Sequence, residues 1–422
     1  MAKKREKKLA ILVGGGPAPG INSVISSVVI KAQNSDFDEI IGFIQGFKYL
    51  CKGEPDPHKI LTTEDVSRIT VTGGTYLKTS RANPSKSKDM LENVVRVFRV
   101  LGITHLVSIG GEDTAFSAMK VAEHAAEQGY KVQSVHVPKT IDNDLPLPHG
   151  IPTFGYETAR SFGARIASIL SEDASSTGRW YIAVCMGRKA GHLALGIGKS
   201  AAATLTLIPE EFHMHCTDKT VIDTIVGAAF KRMVYGKNHG LSIVAEGFLE
   251  LEGFFEGIED VPKDEHGHPV LAEIDFSGHL KHKVQDRLAE FGYKMRIVEK
   301  DIGYELRCVP PESFDIEYTR NLGCSAVDFL LDGGSQAMIT IQGDQAVPVP
   351  FNKMFDPVSG KVKVRTVDTN TAFFKVAQQY MVRLVPEDFE DEDRLLALSE
   401  VAGVTPEKFK EEFYHVVEHM IK

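Results

Sequence analysis

The run Pro138-Lys139-Thr140-Ile141-Asp142-Asn143-Asp144 places a lysine, a threonine and two aspartates at the end of an apolar stretch, residues 133–137. Two carboxylates two residues apart, beside a cation, can do opposite jobs. One can accept a proton from a hydroxyl while the other orients the acceptor or a metal, and Lys139 can hold a phosphate. Asp and Asn also collect in turns, because their side chains bond the nearby backbone, so the run alone fits a simple turn equally well. Repetition elsewhere favours chemistry. Gly110-Gly111-Glu112-Asp113 ends the strand-like stretch 104–109, and Met186-Gly187-Arg188 ends another, 180–185. Glycines and charges gather where strands are expected to stop.

Other segments could handle phosphate. The glycine-rich residues 14–20, GGGPAPG, lie between an apolar run and a helical pattern, where backbone amides can point at an anion. They fail the dinucleotide fingerprint: Gly14 and Gly16 fit, but the third position is Pro19. Gly198-Lys199-Ser200 resembles the end of a P-loop, yet Leu193 stands where its first glycine is required. The polar stretch 73–81, GGTYLKTSR, carries one arginine, Arg81, which reads as a phosphoryl clamp or as a surface turn. Arg188 follows a strand's carboxyl end, where open α/β sheets bind ligands. The group His213, His215 and Cys216, and the pair His266 and His268, fit no zinc spacing.

The elements that must position these residues alternate short β-rich runs with longer helical patterns, as in parallel α/β sheets. Strands are expected at 9–13, 106–109, 132–137, 181–185, 204–208, 241–245 and 338–341, and helices at 21–32, 89–101, 114–128, 158–170 and 221–233. With 422 residues, the chain has room for two or three domains. A first doubly wound domain runs to about 148 and a second begins with HGIPTFGYETAR at 149–160. Residues 385–393 read as an acidic linker into a terminal helical segment. A formal charge of −9 argues against general nucleic-acid binding. No apolar run approaches a membrane span, and the apolar segment 9–13 behind the basic N-terminus is too short for a signal peptide. Five scattered cysteines without a CxxC pair fit a reducing cytoplasm.

In order, these segments resemble the phosphofructokinase family over most of the chain. The motifs are GGPAPGIN at 15–22, GGT with Arg81 at 73–81, GGED at 110–113, PKTIDND at 138–144 and TFGYETA at 153–159. MGRKAGHLAL at 186–195, PEE at 209–211, AEG at 245–247 and GYELR at 303–307 follow. The resemblance implies an α/β fold of two similar doubly wound, Rossmann-like domains with the active site in the cleft between them. Residues 1–148 with about 308–370 would form the larger, donor-binding domain. Residues from about 149 to 307, with 371–422, would form the smaller, sugar-phosphate-binding domain, carrying an insertion near 251–282 and a C-terminal helical extension.

Carried over position by position, Asp142 becomes the base for the sugar hydroxyl, Asp144 its partner and Thr140 a phosphate contact. Arg81 and Arg188 neutralise the transferring phosphoryl group, as suits a reaction driven by positioning and charge neutralisation. Gly15, Gly16, Gly111, Asp113 and Lys139 meet the phosphoryl donor, and Glu112 is a Mg²⁺ ligand. Met186, Gly187, Glu246, Tyr304 and Arg307 meet the sugar phosphate, with Arg179 reaching in from an adjacent subunit.

Two positions bear on the donor. ATP-using relatives usually have glycine where Asp113 stands, leaving room for the nucleotide's α-phosphate, and commonly glycine at Lys139. Both resemble the pyrophosphate-dependent branch, though some ATP-using relatives also carry the lysine. There are departures. Glu112 replaces the usual aspartate and Lys78 a usual glycine. Tyr304 stands at a common histidine, with Arg296 a stand-in for an absent arginine. Ser26 and Ile30 occupy places where allosteric relatives have arginines. The resemblance thus implies a cytoplasmic, Mg²⁺-dependent, reversible phosphotransferase acting on fructose 6-phosphate and pyrophosphate, a homodimer or homotetramer with shared active sites. An ATP-dependent enzyme, one preferring sedoheptulose 7-phosphate, or a catalytically silent subunit remain as alternatives.

Overall fold

The computed structural model describes residues 6–148, 150–212, 216–252, 254, 261, 274–354 and 362–420. His213, His215, His266, His268 and most of the 251–282 insertion lie outside the described residues. The described strands, in chain order, are β1 (Lys8–Val13), β2 (Glu39–Phe43), β3 (His58–Ile60), β4 (Ile103–Gly110), β5 (Gln133–Pro138) and β6 (Trp180–Cys185). β7 (Leu205–Leu207), β8 (Gly240–Ala245), β9 (Ile297–Ile302), β10 (Ala337–Gln342) and β11 (Gln345–Pro350) complete them. The chain divides into two compact units, Met1–Ala159 with Tyr304–Arg365, and Arg160–Gly303 with Thr366–Lys422.

The first unit holds a seven-stranded sheet in the order β11-β10-β5-β4-β1-β2-β3. Its five inner strands are parallel and its two edges antiparallel. β1 shows why both faces are covered. Side chains alternate along a strand, so Leu9, Ile11 and Val13 face the helices Ile21–Gln33 and Ser313–Leu331. Ala10 and Leu12 face the helices Lys88–Leu101 and Glu112–Glu127. Each fully buried aliphatic side chain contributes about 1.5–3 kcal/mol. The helix Lys88–Leu101 starts where Ser87 accepts from Met90 N at 3.2 Å and stops at Gly102 in a left-handed conformation, φ 75°.

The second unit is built on an all-parallel four-stranded sheet, order β7-β8-β6-β9. Thr217 and Asp275 cap its helices Asp218–Val234 and Phe276–Glu290. Phe230 packs against Phe291, Phe409 and Phe413, with ring centroids 5.3–6.3 Å apart, which seats the C-terminal helix Pro406–Phe413.

The break between units falls after Ala159 rather than near 148, because the intervening segment is bonded to the helix Ser313–Leu331. Tyr318 Oη donates to Pro152 O at 3.0 Å, and the buried Asp315 accepts from Gly155 N at 2.7 Å and Thr158 N at 2.8 Å. The later breaks, after Gly303 and Arg365, likewise differ from those expected near 307 and 370. Gly303 leaves with β6 and β9 because it packs against Met186, and the residues from Tyr304 onward return to the first unit.

Candidate active site

Three of the motif loops leave the carboxyl ends of neighbouring parallel strands. Val13 of β1 is in register with Ile109 of β4, and Gly110 with Pro138 of β5. The backbone carries this alignment into the loops: Gly14 N donates to Ile109 O at 2.9 Å and Lys139 N to Gly110 O at 2.8 Å. The 73–81 loop joins them. Gly15 N donates to Ser80 O at 2.9 Å, and Thr79 Oγ1 to Gly15 O at 2.7 Å. Asn22 locks the arrangement, with Nδ2 donating to Thr72 Oγ1 at 2.9 Å and Oδ1 accepting from Tyr76 N at 2.7 Å. Open α/β sheets bind ligands at this edge.

Lys139 feels the charges of several motif residues. It is 4% exposed, and Nζ donates to Gly16 O at 2.5 Å. Burial pushes its pKa down from the ordinary 10.5 to about 8; Asp142 and Asp144 oppose the shift, while Arg307 and Arg81 add to it. Three cations and two carboxylates thus act on one another here. Gly15, in a left-handed conformation, and Gly16 are required for close approach. A β-carbon on Gly15 would sit 3.3 Å from Lys139 Nζ, and one on Gly16 3.3 Å from Arg307 Cζ.

Sequence comparison placed Arg307 among the sugar-phosphate contacts; its guanidinium lies over the Gly16 backbone and 5.0 Å from the Tyr304 ring centre. Tyr304 is exposed. Arg81 is also exposed. Lys78 keeps the left-handed backbone, φ 56°, that explains why glycine is usual there.

Gly110 and Gly14 both lie under Thr114, leaving no room for a side chain on either. Gly111 is more open, with Lys139 O 3.7 Å from where its β-carbon would be. Glu112 and the exposed Asp113 form the first turn of the helix Glu112–Glu127. Acidic residues there stabilise the helix, and they also occupy with negative charge an end that would otherwise attract phosphate. His136, fully buried, bonds Ser108 Oγ at 2.9 Å and Gly110 O at 2.9 Å, and burial drives its pKa down to about 3. It is therefore a neutral prop beneath the glycine turn.

The Asp142-Asn143-Asp144 turn is held from several sides. Thr140 Oγ1 accepts from Asp142 N at 3.0 Å, and Thr140 O accepts from Thr153 Oγ1 at 2.7 Å. Asn143 has φ 57°, a left-handed conformation that non-glycine residues adopt at a cost of roughly 1–2 kcal/mol, asparagine more readily than most. Its Oδ1 accepts from Thr153 N at 3.0 Å. Arg365 bonds this turn from the far end of the unit's sequence.

In the second unit, Met186, Gly187 and Arg188 follow β6. Met186 N donates to Ile302 O at 2.9 Å. Gly187, φ 133°, has its N 3.3 Å from Glu246 Oε2, so two motif residues from different strands meet. Arg188 pairs with Glu250 at 2.5–2.9 Å, so its charge is shared with a carboxylate. Glu210 Oε1 accepts from Gly191 N at 2.8 Å and Val367 N at 3.1 Å, fixing the loop after Arg188. Arg179 Nη1 is 3.8 Å from Asp173 Oδ2, while its buried Nε has no hydrogen-bond partner among the described residues.

Among the described residues no cluster of three or more His, Cys, Asp or Glu side chains could hold a metal. Mg²⁺ needs no such cluster, since it is ordinarily held by one or two carboxylates together with substrate phosphates and water. Glu112, a hard-oxygen donor at the start of its helix, fits such a role. Ser26 is buried and Ile30 packs on the core.

Two α/β units, each built on a mainly parallel sheet with glycine-rich and charged loops at strand ends, define a Rossmann-like enzyme scaffold. The phosphofructokinase family profile matches residues 8–330. The chain is 47% identical over 420 residues to the pyrophosphate–fructose 6-phosphate 1-phosphotransferase of Thermotoga maritima, covering 98% of this chain and 99% of that protein. It is 46% identical over 428 residues to the protein of the same name from Naegleria fowleri, covering 98% and 97%. In structure it resembles a pyrophosphate-dependent phosphofructokinase from Marinobacter aquaeolei, with TM-score 0.66 and 17% identity over 94% of this chain and 91% of that one. The chain belongs to the phosphofructokinase family, and it is a phosphotransferase.

Proposed function

We propose that the chain transfers a phosphoryl group from pyrophosphate to the 1-hydroxyl of fructose 6-phosphate, reversibly and with Mg²⁺, yielding fructose 1,6-bisphosphate and phosphate in glycolysis or gluconeogenesis. Donor choice is supported by one observation above all: buried Lys139 beside Gly16, with Asp113 on the adjoining helix start. The names of the two similar relatives point the same way. Asp142 takes the hydroxyl proton as the sugar oxygen attacks the terminal phosphorus, and the phosphoanhydride bond breaks to release phosphate. Asp144 orients the reacting groups, Lys139, Arg81 and Arg188 neutralise developing charge, and Thr140, Gly15, Gly16 and Gly111 contact phosphate. Mg²⁺ on Glu112 would supply further charge neutralisation. Met186, Gly187, Glu246, Tyr304 and Arg307 are assigned to the sugar phosphate, and the guanidinium of Arg307 over Gly16 supports a second role for it at the donor. The deciding assay compares pyrophosphate with ATP on purified protein with fructose 6-phosphate and Mg²⁺. Turnover with ATP alone would end the reading.

The lysine makes donor binding pH-dependent. Its pKa of about 8 keeps it charged below that pH and neutral above it. The apparent KM for pyrophosphate should therefore hold steady to near pH 8 and climb up to about tenfold per unit beyond. In Lys139→Gln this alkaline limb should vanish; an unchanged limb would assign it to another group.

We assign Arg179 to a neighbouring subunit's sugar phosphate, in a cytoplasmic homodimer or homotetramer. Arg179→Ala should raise KM for fructose 6-phosphate. Mixing it with an Asp142 variant should restore some activity through hybrid dimers, whereas a fully active monomer on sedimentation excludes the assignment.

A further inference from the structure

We infer that Arg365 is a positioning residue for phosphoryl transfer, clamping the turn that carries Asp142 and Asp144. The two carboxylates flank Asn143, whose left-handed backbone aims them. An Asp-Asn-Asp segment does not hold this shape unaided, since like charges two residues apart repel and an extended chain is available to it. Arg365 supplies what the segment lacks. Its Nε donates to Asn143 O at 3.1 Å, its Nη1 to Ile151 O at 2.6 Å, and its Nη2 to Asn143 Oδ1. Its backbone N donates to Asp144 O at 2.8 Å. One residue therefore grips the turn's carbonyls, its central side chain and, at Ile151, the segment returning from it.

The guanidinium is suited to this because its planar fork reaches three acceptors at once, as lysine cannot. It is half-buried, and burial opposes its charge, while Asp144 favours it. The cation that shapes the turn is thus itself favoured by a carboxylate the turn carries. Asn143 Oδ1 is shared with Thr153 N, which in turn lies beside Thr153 Oγ1 bonded to Thr140 O. Arg365 thus completes a closed ring of bonds around residues 140–144. Nothing in the 138–144 motif signals it, because it stands more than 200 residues further along the chain.

The inference rests on the assignment of chemistry to Asp142 and Asp144, and its test separates the two. Steady-state kinetics with pyrophosphate and fructose 6-phosphate are compared for the parent, Arg365→Ala and Arg365→Lys. Loss of geometry should lower kcat about 10–100-fold while KM for each substrate stays within about threefold. Arg365→Lys should recover little. Low millimolar guanidinium should partly rescue Arg365→Ala and leave Asp142→Asn unrescued. In an Asn143→Gly background, where the turn keeps its backbone but the fork loses one acceptor, Arg365→Ala should cost less than in the parent.

Amide hydrogen exchange gives a readout independent of activity: residues 142–144 should exchange faster in Arg365→Ala, with β5 unchanged. The inference is overturned by a folded Arg365→Ala with kcat within about twofold of the parent. It is also overturned by an effect confined to KM, or by unchanged exchange at 142–144. A parent that turns over neither donor would instead refute the assigned reaction, leaving the exchange result to decide the clamp.

Discussion

Replacing Asp142 with asparagine is expected to lower turnover by about 10²–10⁴-fold while leaving KM for both substrates near the parent values. The amide preserves shape and loses the lone pair proposed to receive the sugar proton. The turn itself should survive, because the local bond to Thr140 Oγ1 comes from the Asp142 backbone N and not from its side chain. One side effect must be controlled. Asp142 raises the pKa of Lys139, so its removal lowers that pKa below about 8. Assays on the acid side of neutrality keep Lys139 charged and isolate the loss of the base. A variant that turns over at near the parent rate there removes Asp142 from the role. A variant whose loss appears only as a raised KM for pyrophosphate would mean that Asp142 serves Lys139 and not the hydroxyl.

Much of the scaffold was legible because parallel strands buried on both faces are short, uninterrupted apolar runs. β1, β4, β5, β6, β7, β8 and β10 all lie where such runs predicted them. β2, Glu39–Phe43, is buried like them but was not expected, whereas the other strands that escaped notice lack that signature. β9 carries Glu299, Lys300 and Asp301 on a sheet edge, and β11, Gln-Ala-Val-Pro-Val-Pro, contains two prolines that only an edge position tolerates. β3 is only three residues long.

The same contrast holds for the first unit's loops. Gly15, Gly16, Gly111, Glu112, Asp113 and Lys139 were visible because each lies next to a strand end in sequence as well as in space. Arg365, His136 and Asp315 were invisible: each acts through bonds to backbone atoms or to loops remote in sequence, and a lone Arg, His or Asp within an unremarkable stretch signals nothing. Arg307 was found by its motif, but motif position gives a residue's neighbours in sequence and not the loop over which its side chain lies.

The donor preference tests whether Asp113 and Lys139 act as a pair. Asp113 stands exposed in the first turn of a helix whose N-terminus would otherwise welcome an anion. Asp113→Gly removes both bulk and charge, and should give measurable ATP-dependent turnover where the parent has little. Asp113→Asn keeps the bulk, so comparing the two separates crowding from repulsion. Both changes should leave the fold intact, since an exposed first-turn substitution costs on the order of 1 kcal/mol. Lys139→Gly is the harsher change. It removes a buried cation from Gly16 O and from the proposed phosphate, and should reduce kcat/KM for pyrophosphate about 10²-fold, the loss expected for a charge-assisted contact of roughly 1.5–3 kcal/mol. If, as proposed, a single phosphate chain passes both residues, their effects should not add: the double variant should shift preference toward ATP by more than the product of the single changes. Strictly multiplicative effects would show two independent residues. Equal ATP activity in the parent and Asp113→Gly would mean that Asp113 faces solvent, serving only its helix, and would leave donor choice to Lys139 alone.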